Sequence, residues 1–297
     1  MELRLLQYFI AIADEKSITK AANKLHVTQP TLSKQLIQLE EELEVTLFER
    51  KNRQMILTDA GINLRERAEQ IIELTNKTVS ELRQTNEDIH GEIAIGSGET
   101  EGFSMIADVI KNIQNEYPHI TFNIYSGNGY EIMKKLDNGL LDFGLIIGDR
   151  GIDQYNSLLL PFQDTWGLFI KEDDPLAQEK SISLSSLIDL PLIISRNPIF
   201  TNELVDWLGE PLNEKNIVAT YNLIRNAIIM SEKGLGYVVA LDGLIDTTGK
   251  TNLTFRPFSP ALKTNLYLIW RKNTFLVPAA KVFLEQLHAH IEKESMN

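Results

Sequence analysis

The 297-residue sequence predicts an α/β protein in three parts: a winged helix-turn-helix over residues 1–58, a linker helix over 59–89 and a two-lobed α/β domain over 90–297. Three observations predict it. Near the start, apolar residues recur at helical spacing in short segments that lead into a basic hairpin. A long proline-free polar stretch then carries a thin apolar seam. From about residue 91, strand-like and helix-like segments alternate to the end.

The first segment, MELRLLQYFIAIADEKS, reads as an amphipathic helix. Its charges at Glu2, Arg4 and Asp14, and the lack of a small-residue cleavage site, argue against a signal peptide. Ser17 then suits the N-cap of a second helix with the stripe Ile18, Ala21, Ala22 and Leu25. The pattern breaks at His26-Val27. Thr28 restarts it as an N-cap, with Pro30 in the first turn, where its missing N–H costs little. Leu32, Leu36, Leu39 and Leu43 follow on one helix face, so the pair forms a helix-turn-helix.

Opposite that leucine ridge lie Pro30, Thr31, Lys34, Ile37 and Gln38, with Ser33 beside them and Gln29 projecting at the N-terminus. The chain has a net charge of -12, yet residues 1–58 hold 8 Lys+Arg against 8 Asp+Glu. Between Lys16 and Leu39 there are four lysines (Lys16, Lys20, Lys24, Lys34) and no acid. Such a face can enter a major groove, where amide and hydroxyl groups read base edges, while flanking lysines meet the phosphate backbone. The acids Glu40, Glu41 and Glu42 come only after the turns that would sit deep in the groove. VTLFERKNRQMILTDAG then reads as a wing: a strand near Thr46–Glu49, a basic tip at Arg50, Lys51, Asn52 and Arg53, and a return strand Met55–Leu57.

The run from Leu6 through AANKLHVTQPTLSKQLIQLEEEL to LFERKNRQMILTDAG resembles the winged helix-turn-helix of LysR-type bacterial transcriptional regulators. The resemblance implies a DNA-binding regulator whose base and phosphate contacts fall on Gln29, Pro30, Thr31, Ser33 and Lys34. Wing contacts would fall on Arg53 and Arg50. Gln38 joins them from its place on the exposed flank. Lys34 stands where the family usually has arginine, which removes a bidentate fork. Ile37 replaces a basic or polar residue.

Thr58 suits the N-cap of a third helix, with Asp59 at its positive end, running to about Glu87. Its seam is Leu64, Ala68, Ile71, Thr75, Thr78 and Leu82. So long and polar a helix has no evident core of its own chain to cover, so a second copy is the expected cover. The resemblance implies the same homodimer, and the family also forms tetramers.

In the last two-thirds, EIAIGSG, ITFNIYSG and FGLIIG read as strands, with helices over MIADVIKNIQNEY and from Gly129 to about Asn138. A second series runs from WGLFIKEDDP through PLIIS, a helix near Phe200–Leu208, IVATY, a helix from Asn222 to Lys233 and LGYVVAL. NLYLIWRKN returns as a strand before a helix from Pro278. Two α/β units and a late return predict lobe I at 91–161 plus 267–297 and lobe II at 162–266. With DLPLIISR and SEKGLGYVVAL, this resembles the effector domain of LysR-type regulators, which implies a periplasmic-binding-protein fold.

Ligands in such units sit beyond strand C-termini. Those ends place Ser97, Gly98, Glu99, Thr100, Gly127, Asn128 and Gly148 on one side, with Ile199, Phe200 and Thr201 closing from the other lobe. The carboxylate of Glu99 would repel a simple anion, which ranks a zwitterionic, cationic or neutral effector above a dicarboxylate. Arg196 is a candidate counter-charge.

The absence of cysteine excludes disulfides, thiolate metal sites and cysteine nucleophiles. There is no HExxH, GxSxG or P-loop, so no catalytic residue, metal or cofactor is assigned. No apolar run approaches a membrane span of about 20 residues. The expected setting is the bacterial cytoplasm, and the expected partners are double-stranded DNA, a small-molecule effector and a second copy. A cytosolic solute-binding protein or a cleft enzyme is the alternative class.

Overall fold

The computed structural model describes residues 1–51, 54–82, 89–187, 189–196, 204–206, 216–247 and 251–295. The chain divides into two compact units, Met1–Arg83 and Gln84–Asn297.

The first unit holds α1 (Leu3–Glu15), α2 (Ile18–Lys24), α3 (Gln29–Leu43), β1 (Phe48–Lys51), β2 (Gln54–Leu57) and α4 (Asp59–Leu82). Ser17 Oγ accepts from the Lys20 amide and Thr28 Oγ1 from the Thr31 amide, so both expected N-caps form. The turn between α2 and α3 passes through His26 at φ 55°. Leu32, Leu36 and Leu39 are buried with Leu5, Leu6, Phe9 and Ile12 of α1 and Ala21 and Ala22 of α2. Phe9 meets the ring of Phe48 at 5.3 Å and so ties the wing to this core. The Met55 amide donates to the Lys16 carbonyl at 3.0 Å.

The wing strands pair antiparallel, with Phe48 opposite Leu57 and Lys51 opposite Gln54. Arg50 and Lys51 therefore belong to the strand instead of the tip, and the strand runs later than the sequence suggested, at Phe48–Lys51 instead of Thr46–Glu49. The reason is Glu40, whose Oε1 accepts from the amides of Leu47 (2.7 Å) and Phe48 (3.3 Å) and holds the chain back until Phe48 enters the core.

Thr58 caps α4 through the Gly61 amide at 3.0 Å. Gly61 is required by proximity: a Cβ there would lie 2.2 Å from the Leu47 carbonyl oxygen. The first turns of α4 do have a core in their own chain, contrary to expectation. Ala68 is fully buried, and Leu64 and Ile72 pack against the same cluster. Arg65 ties α4 to α1 through Asp14 at 2.7 Å. Farther along, Ile71, Leu74 and Val79 are exposed.

The second unit is an α/β fold. Its elements are β3 (Gly91–Ser97), α5 (Phe103–Glu116), β4 (Ile120–Ser126), α6 (Gly129–Asp137), β5 (Phe143–Ile147), β6 (Tyr155–Lys171), β7 (Ile182–Ser183), α7 (Leu184–Leu187), β8 (Leu192–Ser195), β9 (Ile217–Tyr221), α8 (Ile224–Glu232), β10 (Tyr237–Leu241), β11 (Leu253–Ser259), β12 (Lys263–Arg271) and α9 (Pro278–Ser295). The strands run in the order β4-β3-β5-β12-β6-β10-β8-β9, with β11 on β6 and β7. The parallel pairs β3–β4, β3–β5 and β8–β9 carry the two α/β series.

The long strand β6 joins them. Its residues up to Thr165 pair with β12, and from Trp166 onward it pairs with β10 and β11. Apolar clusters flank each half. Phe143, Leu268 and Phe283 lie in one, and Leu168, Leu192 and Val239 in another. The sequence reading missed β11, because Pro257 interrupts an otherwise β-prone run; here Pro257 sits opposite Gly167 within the ladder. The helix expected near Phe200–Leu208 appears at 204–206, its other residues lying outside those described.

Candidate functional site

In the first unit, α3 turns its leucine ridge inward and leaves Gln29, Pro30, Thr31, Lys34 and Gln38 exposed, with Ser33 half-buried. This follows from the 4-3 spacing of Leu32, Leu36 and Leu39, each at most 6% exposed. Ile37, 51% exposed, sits among polar neighbours on the outer flank. Gln35 Nε2 donates to Gln38 Oε1 at 3.1 Å, which orients the Gln38 amide. Thr31 Oγ1 lies 2.8 Å from Thr28 Oγ1. Arg50 is exposed on β1, and Arg53 lies outside the described residues.

The approach lysines are not equivalent. Lys16 and Lys20 are exposed, whereas Lys24 is paired with Glu15 at 3.1 Å. Glu40 is the structural contact the sequence reading passed over. It was set aside as an acid beyond the groove, and it fixes where the wing begins.

In the second unit a cavity of about 70 Å³ opens where the strand ends of both series converge. Gly98, Glu99, Gly127 and Asn128 line it, as the strand-end rule requires. The Gly98 amide reaches the Leu145 carbonyl and the Gly127 amide the Ser97 carbonyl, which draws these turns together. Asn128 caps α6: its Oδ1 accepts from the Glu131 amide, and Glu131 in turn accepts from the Asn128 amide.

Three expected members lie elsewhere. Ser97 is buried and donates to its neighbour's carbonyl, Gly98 O, at 2.7 Å. Thr100 is buried and donates to Asp164 Oδ2 at 2.7 Å. Gly148, at φ 85°, lines a separate cleft with Arg150 and Lys263. Ile199, Phe200 and Thr201 lie outside the described residues, and the exposed Arg196 does not line the cavity.

The other lining residues went unread. Ser195, Tyr221 and Asn222 stand at the ends of β8 and β9, so the rule applied to the first series would have found them in the second. Trp166 comes from β6 and carried no local signal.

Glu99 makes the most informative contact. Its Oε2 accepts from the Ile224 amide, the first residue of α8, at 2.8 Å. The α8 N-cap residue, Leu223, supplies no side-chain bond of its own. The Glu99 charge also reaches Tyr221. Burial first, and that carboxylate second, raise the phenol pKa above its ordinary value, and the hydroxyl donates to the Val239 carbonyl at 2.7 Å. Burial likewise pushes Asp164 up to about 6, with Glu101 adding to the rise and the Thr100 bond opposing it.

Residues 3–62 match the family described as bacterial regulatory helix-turn-helix protein, lysR family, and residues 86–292 match the LysR substrate binding domain. The chain belongs to the LysR family of transcriptional regulators. It is 27% identical over 295 residues to the HTH-type transcriptional regulator YybE of Bacillus subtilis, covering 99% of this chain and 100% of that one. It is 40% identical to BsdA of the same organism over 143 residues, 48% of this chain and 49% of that. Among solved structures, the LysR regulator CbnR matches at 22% identity with a TM-score of 0.75, covering 98% of this chain and 99% of that one. CbnR is also known complexed with its target DNA. The relatives are named as transcriptional regulators, not enzymes. Among the described residues no helix is long and apolar enough to cross a membrane, and no cluster of His, Asp or Glu could hold a metal ion.

Proposed function

We propose that this LysR-type regulator grips promoter DNA in the bacterial cytoplasm through α3 and the wing, and that a small molecule in the cavity of the second unit modulates that grip. The carrying observation is the exposed flank from Gln29 to Gln38 above a buried leucine ridge. Gln29, Pro30, Thr31, Ser33, Lys34 and Gln38 supply groups that suit base edges and phosphates, with Arg50 and Arg53 at the wing. The DNA complex of CbnR, a protein of like fold, supports the same use.

Two copies would pair along the outer part of α4. Ile71 and Leu74 are 40% and 42% exposed there, and a hydrophobic strip on a polar helix is the usual seam of a paired helix. Effector contacts are assigned to Gly98, Glu99, Gly127 and Asn128.

The test is quantitative binding to DNA upstream of the chain's own coding region. Gln29→Ala and Lys34→Ala should each lose about 1–3 kcal/mol of operator affinity with melting temperature unchanged. Wild-type affinity in both variants would remove α3 as the reading element. Ile71→Asp should shift sedimentation toward the monomer, and an intact dimer would move the interface off this helix.

A further inference from the structure

The regulator reading leaves the chemical class of the effector open, and the cavity wall narrows it. Among the described lining residues there is one formal charge, Glu99. The remaining wall combines the apolar Leu145, Ile147, Trp166, Leu241 and Leu244 with the uncharged polar Asn128, Ser195, Tyr221 and Asn222. Helix N-termini would normally be the places for a ligand carboxylate. Two border this cavity, and each already carries a side-chain acceptor of the chain itself. At α6 the capping box engages the amides of Asn128 and Glu131. At α8, Glu99 reaches from the other series to the Ile224 amide. An incoming anion would approach a helix end that already carries the Glu99 carboxylate, and would be repelled by it.

We propose that the effector is an amine with an apolar body, and that Glu99 is the residue that selects it. One carboxylate oxygen of Glu99 stays on the Ile224 amide. The second accepts from the ligand's ammonium, a charge-assisted bond formed beside an apolar wall. The hydrocarbon part lies against Leu145, Ile147 and Leu241. Because Glu99 holds α8 from across the cavity, the ammonium and the helix end share one carboxylate, and ligand binding is coupled to the contact between the two series.

This inference rests on the cavity being the effector site, so the experiment separates the two ideas. Full-length protein is titrated calorimetrically with ethylamine and butylamine, and with the matched acids propionate and pentanoate. Three forms are compared: wild type, Glu99→Gln and Asn222→Trp, the last placing a bulky ring at an exposed lining position. The amines should bind wild type, weaken about tenfold or more in Glu99→Gln, and be lost in Asn222→Trp. Acids that bind, tighten in Glu99→Gln and are lost in Asn222→Trp would keep the cavity as the effector site and overturn the amine. Amine binding that survives Asn222→Trp would place the ligand elsewhere and remove the cavity reading itself. The absence of amine binding to wild type also overturns the proposal.

Discussion

The start of α3 and the start of α8 solve one problem in opposite ways. A helix N-terminus leaves amides unsatisfied, and a side-chain oxygen must meet them or water will. At α3 the oxygen belongs to Thr28, three residues from the Thr31 amide it serves. At α8 the oxygen belongs to Glu99, 125 residues from Ile224. The first cap needs no other element in place. The second exists only when both strand series of the ligand domain stand together. A local cap forms with its own helix, whereas a long-range cap depends on two elements being brought together.

The comparison is sharpest where a substitution separates framework from face. Leu39→Ala removes a fully buried side chain of the ridge and should cost about 2–5 kcal/mol of head stability. DNA binding should fall with it, through unfolding of the head. Lys34→Ala, five residues earlier on the exposed flank, should leave the melting curve alone. Hydrogen exchange of the α1 and α3 amides would show the difference. Equal destabilisation by both would merge ridge and face into one element.

The ligand domain should show its own signature in pH. Asp164 is 3% exposed and its carboxyl is raised to about 6, chiefly by burial. A raised carboxyl favours the folded state most when protonated. Its contribution is complete below the unfolded value near 3.8 and is lost as pH climbs through about 6. The difference is on the order of 3 kcal/mol. Asp164→Asn should flatten this dependence between pH 4 and 7, with Thr100 still donating to the amide oxygen. A pH slope identical to wild type would mean that the carboxyl is not the titrating group. The wing should give the smallest effect. Arg50→Ala should weaken binding to all DNA sequences alike and lower the salt slope by about 0.9 for one lost phosphate contact. An unchanged slope would take Arg50 off the backbone.

Legibility followed the same division. The ridge, both caps of the helix-turn-helix and the outward flank were readable because each depends on residues within about two turns of one another. Glu40 was misjudged because its partners, Leu47 and Phe48, lie beyond the end of its helix. The seam of α4 was read as one strip, yet Leu64 and Ala68 are spent within the head while Ile71 stays exposed. Nothing in the 4-3 repeat distinguishes the two halves, since only the position of α1 does. In the ligand domain, strand ends announced Gly98, Gly127 and Asn128. Thr100 was misplaced because the buried carboxylate of Asp164 claims its hydroxyl.

By itself the sequence determined the outward flank of α3 and the alternation of strands and helices, because periodicity and capping are short-range and each residue's environment is set by near neighbours. Only the tertiary structure decided that Glu99 closes a helix across the cavity, that Trp166 and Tyr221 wall it, and that half of the α4 seam is internal. Those contacts join residues from about 50 to 125 positions apart, and no local pattern encodes a distance that the fold alone brings to a few ångströms.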